Sequence, residues 1–249
     1  KLYMEMYPDS EIGTSYQIAN IPNKRMRDEK PLHELKLIDP ASGSGNFLLY
    51  AFDFFYALYE DQIDNYGADY EESEIPQLII ENNLYGVDLD DRAIQLAQLG
   101  LWIKAKKKRR SIGSLQFNVV SSDFYLPDFE VVYPLFKELV DGNQQMGLIE
   151  SIWRDLSDAY KFGSLIRLNE RLDAHLHELR GSDAKMFLGE EEKSHQAFKV
   201  RFLEKLEEVF KRYSSQRGES FLTEKTKDAM TFLRLITQSY DVATANPPY

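Results

Sequence analysis

A chain of 249 residues is long enough for one large domain, or for one domain with a sizeable insertion, and long enough to bury a core, which argues against disorder. With 43% hydrophobic residues, a mean hydropathy of -0.46 and no apolar run of membrane-spanning length, it reads as a water-soluble globular protein; the absence of cysteine removes disulfides, thiolate metal sites and any cysteine nucleophile, and is compatible with a reducing cytoplasm. Lys and Arg number 30 against 41 Asp and Glu, and the resulting net charge of -11 is a poor electrostatic footprint for a free-standing nucleic-acid binder.

Residues 1–34 mix polar and aromatic side chains, and Pro8, Gly13, Pro22 and Pro31 interrupt any long period, so a lead-in with at most short helices is expected. The apolar run Leu35-Lys36-Leu37-Ile38 meets the glycine-bearing segment of residues 39–46, after which Phe47, Leu48, Ala51, Phe54, Phe55 and Leu58 recur at helical spacing. That is strand, turn, helix. The pattern then repeats, with a helix over residues 74–83, a strand over 84–88, a helix over 91–108 and a third strand over 115–120. Strands alternating with helices predict an α/β fold with a mostly parallel sheet and helices on both faces.

After Pro127 the strand signals vanish until about Ser239. Four amphipathic stripes take their place: Ile149, Ile152, Trp153, Leu156 and Tyr160; Leu165, Leu168, Leu172, Leu176 and Leu179; Phe198, Phe202, Leu206, Val209 and Tyr213; and Ala229, Phe232, Leu233 and Ile236. A helical subdomain over 126–239 is expected, with 181–193 as its exposed loop. The last residues, 241–249, read as a strand running into Asn246-Pro247-Pro248-Tyr249, and the chain is expected to be a segment of a longer protein.

Four places carry chemistry. In residues 39–45, Asp-Pro-Ala-Ser-Gly-Ser-Gly, small residues between a strand end and a helix start let the backbone approach a ligand where helix amides are unpaired, although a tight turn with no ligand would look the same. Asp88 stands at the end of the second strand, where doubly wound folds place an acid against ribose hydroxyls; Asp90 is the better cap for the following helix, which leaves Asp88 free for a ligand. Asp123 ends the third strand in the same way, as a ligand acid or a turn residue. In the final tetrapeptide two prolines remove amide donors, so the Asn246 side-chain oxygen and the Pro247 carbonyl can receive an amino group, with Tyr249 as a stacking face; a proline-rich turn is the alternative.

Together, in this order, Asp-Pro-Ala-x-Gly-Ser-Gly-Asn-Phe, Gly-x-Asp, Ser-Asp-Phe and Asn-Pro-Pro-Tyr resemble the amino-methyltransferases that use S-adenosylmethionine, and among them the gamma-ordered adenine-N6 DNA methyltransferases of restriction-modification and phage-defence systems. The resemblance covers residues 38–123 and 240–249 and implies a Rossmann-like, doubly wound core over 35–125 and 240–249, incomplete at its carboxyl end, with 126–239 as a large helical insertion. It implies that Asp39, Pro40, Ala41, Gly43 and Gly45 surround the methionine part of the cofactor, that Asp88 binds its ribose, and that Asp123 and Phe124 bind its adenine. Asn246 and Pro247 would then accept hydrogen bonds from the target adenine amino group, with Tyr249 stacked on a base flipped from double-stranded DNA. A further family element near the cofactor is matched only in part by residues 13–18, which makes Tyr16 a weaker candidate contact.

An exocyclic amine can attack a sulfonium methyl directly once positioned, whereas carbon-5 methylation of cytosine ordinarily requires the cysteine this chain lacks. No metal is called for, and His33, His175, His177 and His195 show no ligand-like spacing. Residues 126–239 hold 17 basic and 20 acidic residues, which favours a scaffold or a protein-partner surface over a DNA reader. Between residues 53 and 91 there are 12 acids and no Lys or Arg, so that block is expected to face away from DNA; Lys104, Lys106, Lys107, Lys108, Arg109 and Arg110 read as a solvated helix end. The segment alone is expected to be inactive, with DNA held mainly by regions outside it. Rival readings are a glutamine-N5 protein methyltransferase, an RNA amino-methyltransferase and a non-catalytic helical binding module.

Overall fold

The computed structural model describes residues 1–123, 126–137, 143–157, 170, 173–175, 177–178, 204–209, 212 and 220–245. Among them the strands form one parallel sheet in the order β3-β2-β1-β4, with β1 at Leu37–Asp39, β2 at Leu84–Asp88, β3 at Asn118–Ser121 and β4 at Val242–Ala243. The chain divides into two compact units, Lys1–Val119 with Ser239–Tyr249, and Val120–Gln238. No helix among the described residues is long and apolar enough to cross a membrane.

The first unit is built outward from β1. Leu37, Ile38 and Asp39 pair with Leu84, Tyr85 and Gly86 of β2, and on the other side Leu37 and Ile38 pair with Val242 and Ala243 of β4. Because β1, β2 and β3 step across the sheet in one direction, right-handed crossovers bring the two long helices to one face. These are α3 (Asn46–Tyr66) and α5 (Asp91–Lys108), which pack on each other; α1 (Leu2–Met6), α2 (Ile12–Ser15) and α4 (Ile75–Leu78) complete the set. In α3 the buried residues Leu48, Ala51, Phe52, Phe55, Leu58 and Tyr59 recur at helical spacing, and Gly67 stops the helix at φ +65. In α5 the Asp90 side chain accepts from the Arg92 N–H at 2.9 Å, the cap expected from sequence, and the last turn carries Lys106, Lys107 and Lys108 at the negative end of the helix.

The lead-in is less peripheral than its composition suggests. It has only short helices, as expected, but Tyr3, Met4, Met6, Tyr7, Ile12 and Leu32 are buried in the same core as α3. A polar knot holds it there: the Tyr3 and Ser10 hydroxyls both donate to Asp61 Oδ2, Asn65 Nδ2 donates to Asp61 Oδ1, and Gln62 Nε2 donates to the Tyr3 oxygen. Burial, reinforced by the bond to Asp61, holds the Tyr3 hydroxyl protonated far above the ordinary tyrosine range.

Two strand edges differ from the sequence reading. β1 begins at Leu37 because a 3-10 turn, Leu32–Glu34, ends just before it and the Leu35 carbonyl accepts from Asn83. β3 begins at Asn118 because residues 116–118 first bond to Glu81, whose Oε1 accepts from the Gln116 N–H and whose carbonyl accepts from Asn118 Nδ2. β2 and α5 have the limits read from sequence. The residues before β2 pass from α4 into a π-helical turn, Ile79–Asn83, within the span expected to be helical.

Asn83 closes that turn fully buried, with Nδ2 donating to the Leu32 and Leu35 carbonyls at 2.6 and 2.7 Å and Oδ1 accepting from Tyr59 at 3.1 Å. Asn83→Ala strands these partners, and the expected cost is about 2 kcal/mol from unsatisfied buried groups. A lowered denaturant midpoint, followed by Trp102 fluorescence in a Trp153→Phe background, checks this; an unchanged midpoint contradicts it.

In the second unit α6 (Phe129–Lys137) and α7 (Asn143–Ser157) pack through Phe129, Phe136 and Trp153, and the Trp153 indole donates to the Pro127 carbonyl at 2.9 Å. Of the expected stripes, Ile149, Ile152, Trp153 and Leu156 are buried on α7, and Ala229, Phe232, Leu233 and Ile236 on α8 (Ser220–Thr237). Leu206 and Val209 are buried in the helical residues 204–209. Tyr160, the stripe from Leu165 to Leu179, Phe198, Phe202, Tyr213 and the loop at 181–193 lie outside the described residues.

Candidate functional site

The turn that joins β1 to α3 is pinned to β2 at two points. The Ser42 N–H donates to the Val87 carbonyl at 2.9 Å, and the Gly43 N–H donates to Asp88 Oδ2 at 2.8 Å. Gly43 and Gly45 have φ of +52 and +83, a left-handed backbone that other residues adopt only with strain. Their roles differ. A Cβ on Gly43 would meet nothing within 4 Å, so its surroundings are open, whereas a Cβ on Gly45 would lie 2.8 Å from Ala97 Cβ on α5. Gly43 keeps space clear beside the turn, and Gly45 lets α3 approach α5. No side chain caps the amino end of α3, whose first amides therefore face the same turn.

Asp39 ends β1 with no exposed surface. Its Oδ1 accepts from the Ala41 N–H at 3.1 Å, while Oδ2 is buried with no hydrogen-bond partner. Burial raises its pKa above the ordinary aspartate value; the charge of Asp88 pushes in the same direction, and the Ala41 N–H opposes it. A buried carboxylate with an unused oxygen and no cation is costly to keep unless something else completes it.

Asp88 is not free, contrary to the sequence reading. Its Oδ1 accepts from the Asp90 N–H at 3.0 Å and its Oδ2 from Gly43, so it clamps the turn. Thus Asp39, Pro40, Ala41, Gly43 and Asp88 come together at the carboxyl ends of β1 and β2, while Gly45, in the same turn, faces Ala97. Asp123 lies in the second unit, two residues beyond β3, with its N–H donated to Ser121 Oγ at 3.0 Å. Tyr16 meets Phe54 of α3 edge-on at 4.7 Å, and Gly13 packs against Ile21 and Met4, so these are packing contacts. Phe124, Asn246, Pro247 and Tyr249 lie outside the described residues.

Two residues that sequence reasoning did not single out stand beside Asp39. Ser42 Oγ and Thr244 Oγ1 are both buried without a hydrogen-bond partner. The only signal in the sequence was a small polar residue inside each motif-bearing segment.

Four of the six basic residues at 104–110 are engaged by the protein itself. Lys104 pairs with Asp53, Lys106 bonds to the Arg110 and Ile112 carbonyls, Lys108 sits 3.7 Å above the Tyr56 ring, and Arg109 donates to the Ser73 carbonyl. The helix-end reading is the one this arrangement favours over a DNA contact.

Comparison with known proteins gives two family matches. The model for the MmeI DNA-methyltransferase domain matches residues 17–127, and that for the Eco57I restriction-modification methylase matches residues 82–249, more than half of the chain. The chain is 37% identical over 106 residues to the adenine-specific methyltransferase PglX of Lacticaseibacillus casei (strain Zhang), an alignment covering 41% of this chain and 8% of that protein. It is 31% identical over 132 residues to the adenine-specific methyltransferase BrxX of Escherichia coli O9:H4 (strain HS), covering 48% and 10%. It is also 31% identical over 136 residues to a putative type II restriction enzyme and methyltransferase of Methanocaldococcus jannaschii, covering 52% and 10%. The chain therefore spans 8–10% of the length of these curated relatives.

Proposed function

Because the chain belongs to the Eco57I restriction-modification methylase family, we propose that it forms part of the catalytic domain of an enzyme that transfers a methyl group from S-adenosylmethionine to N6 of adenine in double-stranded DNA. The observation that carries this reading is the unpartnered, buried Asp39 Oδ2 beside the open turn at Gly43. S-adenosylmethionine is cationic at its amino group and its sulfonium, and a carboxylate lacking a cation together with a turn that leaves room for a ligand fits that chemistry. When bound, it supplies an electrophilic methyl group.

Asp39, Pro40, Ala41 and Gly43 hold its methionine part, Gly45 maintains the turn through its contact with Ala97, and Asp88, at the carboxyl end of β2, binds the ribose. Asp123 and Phe124 serve the cofactor adenine. Asn246 and Pro247 accept hydrogen bonds from the target amino group and orient its nitrogen toward the methyl, with Tyr249 stacked on the flipped base. Residues 126–239 form an insertion between the third and fourth strands that carries a protein-partner surface, and DNA is held mainly by regions outside this segment. The enzyme works in the cytoplasm, where its DNA substrate is accessible.

The test is to incubate the full-length protein with methyl-labelled S-adenosylmethionine and double-stranded DNA, RNA or protein acceptors, and to identify the product by mass spectrometry. N6-methyladenine in DNA is expected. Label in glutamine or in RNA, or no transfer at all, overturns the proposal.

A further inference from the structure

β4 lacks the feature that ordinarily fixes a strand in register. Its two residues, Val242 and Ala243, are both exposed, so no buried side chain of the strand chooses between one pairing with β1 and the next. The pairing is nevertheless definite. Val242 stands opposite Leu37 and Ala243 opposite Ile38, and the Thr244 N–H then donates to the Ile38 carbonyl at 2.9 Å, which sets Thr244 opposite Asp39.

Asp241, the residue before the strand, marks that register. Its Oδ2 accepts from the Lys36 N–H at 2.9 Å, and the Lys36 carbonyl accepts from the Asp241 and Val242 N–H groups at 3.0 and 3.1 Å. The backbone just ahead of β1 is thus engaged, at both its N–H and its carbonyl, by the start of β4. The same carboxylate takes Lys30 Nζ on both oxygens at 2.9 Å, which ties the lead-in to a strand 211 residues away. Tyr240 and Val242, on either side of Asp241, carry no carboxylate, so a slip of one residue strips Lys30 and the Lys36 N–H of their acceptor. A charge-assisted clamp therefore specifies a register that burial leaves open.

We infer that Asp241, held by Lys30, is a positioning residue for methyl transfer: it keeps β4 in the register from which Asn246 and Pro247 are presented to the target amino group. This rests on the methyltransferase reading. Asn246 follows Thr244 by two residues, so the clamp decides from which point along β1 the final tetrapeptide sets out. A slip of one residue moves that point by about 3.3 Å. Groups that orient an amine toward a methyl tolerate far less, since a displacement of about 1 Å can cost a hundredfold in rate. The clamp sits at the amino end of the parallel sheet, and Gly43 and Asp88 sit at its carboxyl end, so the expected effect falls on transfer and not on cofactor affinity.

Two measurements on the full-length protein test this: steady-state methyl transfer to double-stranded DNA lacking N6-methyladenine, and calorimetry with S-adenosylhomocysteine. Asp241→Ala is expected to lower kcat about tenfold or more and to leave S-adenosylhomocysteine affinity unchanged. Lys30→Met should lower kcat less, because the bond from the Lys36 N–H remains, and Lys30→Arg should restore it, since a guanidinium also bridges two carboxylate oxygens. Combining Lys30→Met with Asp241→Ala should cost no more than Asp241→Ala alone. Arg27→Met, which breaks another exposed lead-in pair, with Glu5, is the control and should change neither reading. Partly exposed ion pairs contribute little to stability, so a merely structural role predicts an unchanged kcat. An unchanged kcat in Asp241→Ala, or a fall matched by an equal loss of S-adenosylhomocysteine affinity, overturns the inference. If Asp241→Ala does not fold, Lys30→Met against Lys30→Arg decides it by the same two readings. A wild-type protein that methylates no adenine sinks the methyltransferase reading, and the inference with it; an active wild type with equally active variants sinks the inference alone.

Discussion

Asp39→Asn is expected to make the ligand-free chain more stable at neutral pH and to weaken cofactor binding by about a hundredfold, the loss of a hydrogen bond between charged groups. The two effects have one cause. Burial raises the Asp39 pKa, because its surroundings disfavour the carboxylate charge. An aspartate raised on folding holds its proton more tightly in the folded state, so it subtracts stability as pH rises from about 4, its unfolded value, and the penalty is complete only above the higher folded value. Asparagine escapes the penalty. Its side-chain oxygen can keep the bond from the Ala41 N–H, and its amide carries no charge to bury. The stability difference between variant and wild type should therefore be small near pH 3.5 and grow toward pH 7, which denaturant midpoints across that range measure. The amide, however, presents donors to a cationic ligand. Calorimetry of the full-length variant with S-adenosylhomocysteine reads that half, and a variant that binds like wild type removes Asp39 from the site.

Gly45→Ala is expected to destabilise the chain by about 3–4 kcal/mol, combining left-handed strain with overpacking. At φ +83 an alanine is strained wherever it stands, and here its methyl group would lie 2.8 Å from Ala97 Cβ and 3.2 Å from Ala97 Cα. Relief would have to come from backbone, because the Ala97 methyl has no rotamer to change. The contact between α3 and α5 would separate, loosening Leu48 and Leu101 around it. Gly43→Ala is the control. Its φ is +52 with nothing within 4 Å, so only the strain term remains, about 1 kcal/mol. Thermal melts of the two variants should differ by several degrees, and equal melting temperatures would remove the distinction between a packing glycine and one with open surroundings.

Most of the secondary structure of the first unit was legible because its signals are local. The strand at 84–88 is a short apolar run bounded by Asn83 and the Asp90 cap, and the helix at 91–108 carries its cap, its apolar period and its basic end within its own residues. The strands at 37–39 and 118–121 were displaced by side-chain bonds from Asn83 and Glu81, residues far from them in sequence. The burial of the lead-in was not legible. It depends on Asp61 accepting from Tyr3 and Ser10, and a buried aspartate looks no different in sequence from the exposed acids around it.

The candidate site divides in the same way. Its turn, residues 39–45, and the cap at Asp90 are contiguous in the chain and were read from it, because glycine conformation and helix capping act over a few residues. The engagement of Asp88 with Gly43, the packing of Gly45 on Ala97, and the placing of Thr244 beside Asp39 belong to the tertiary structure alone. Each depends on a register or a helix contact between distant segments. Strand pairing decides which side chain stands opposite Asp39, and no local pattern in β1 or β4 specifies that partner.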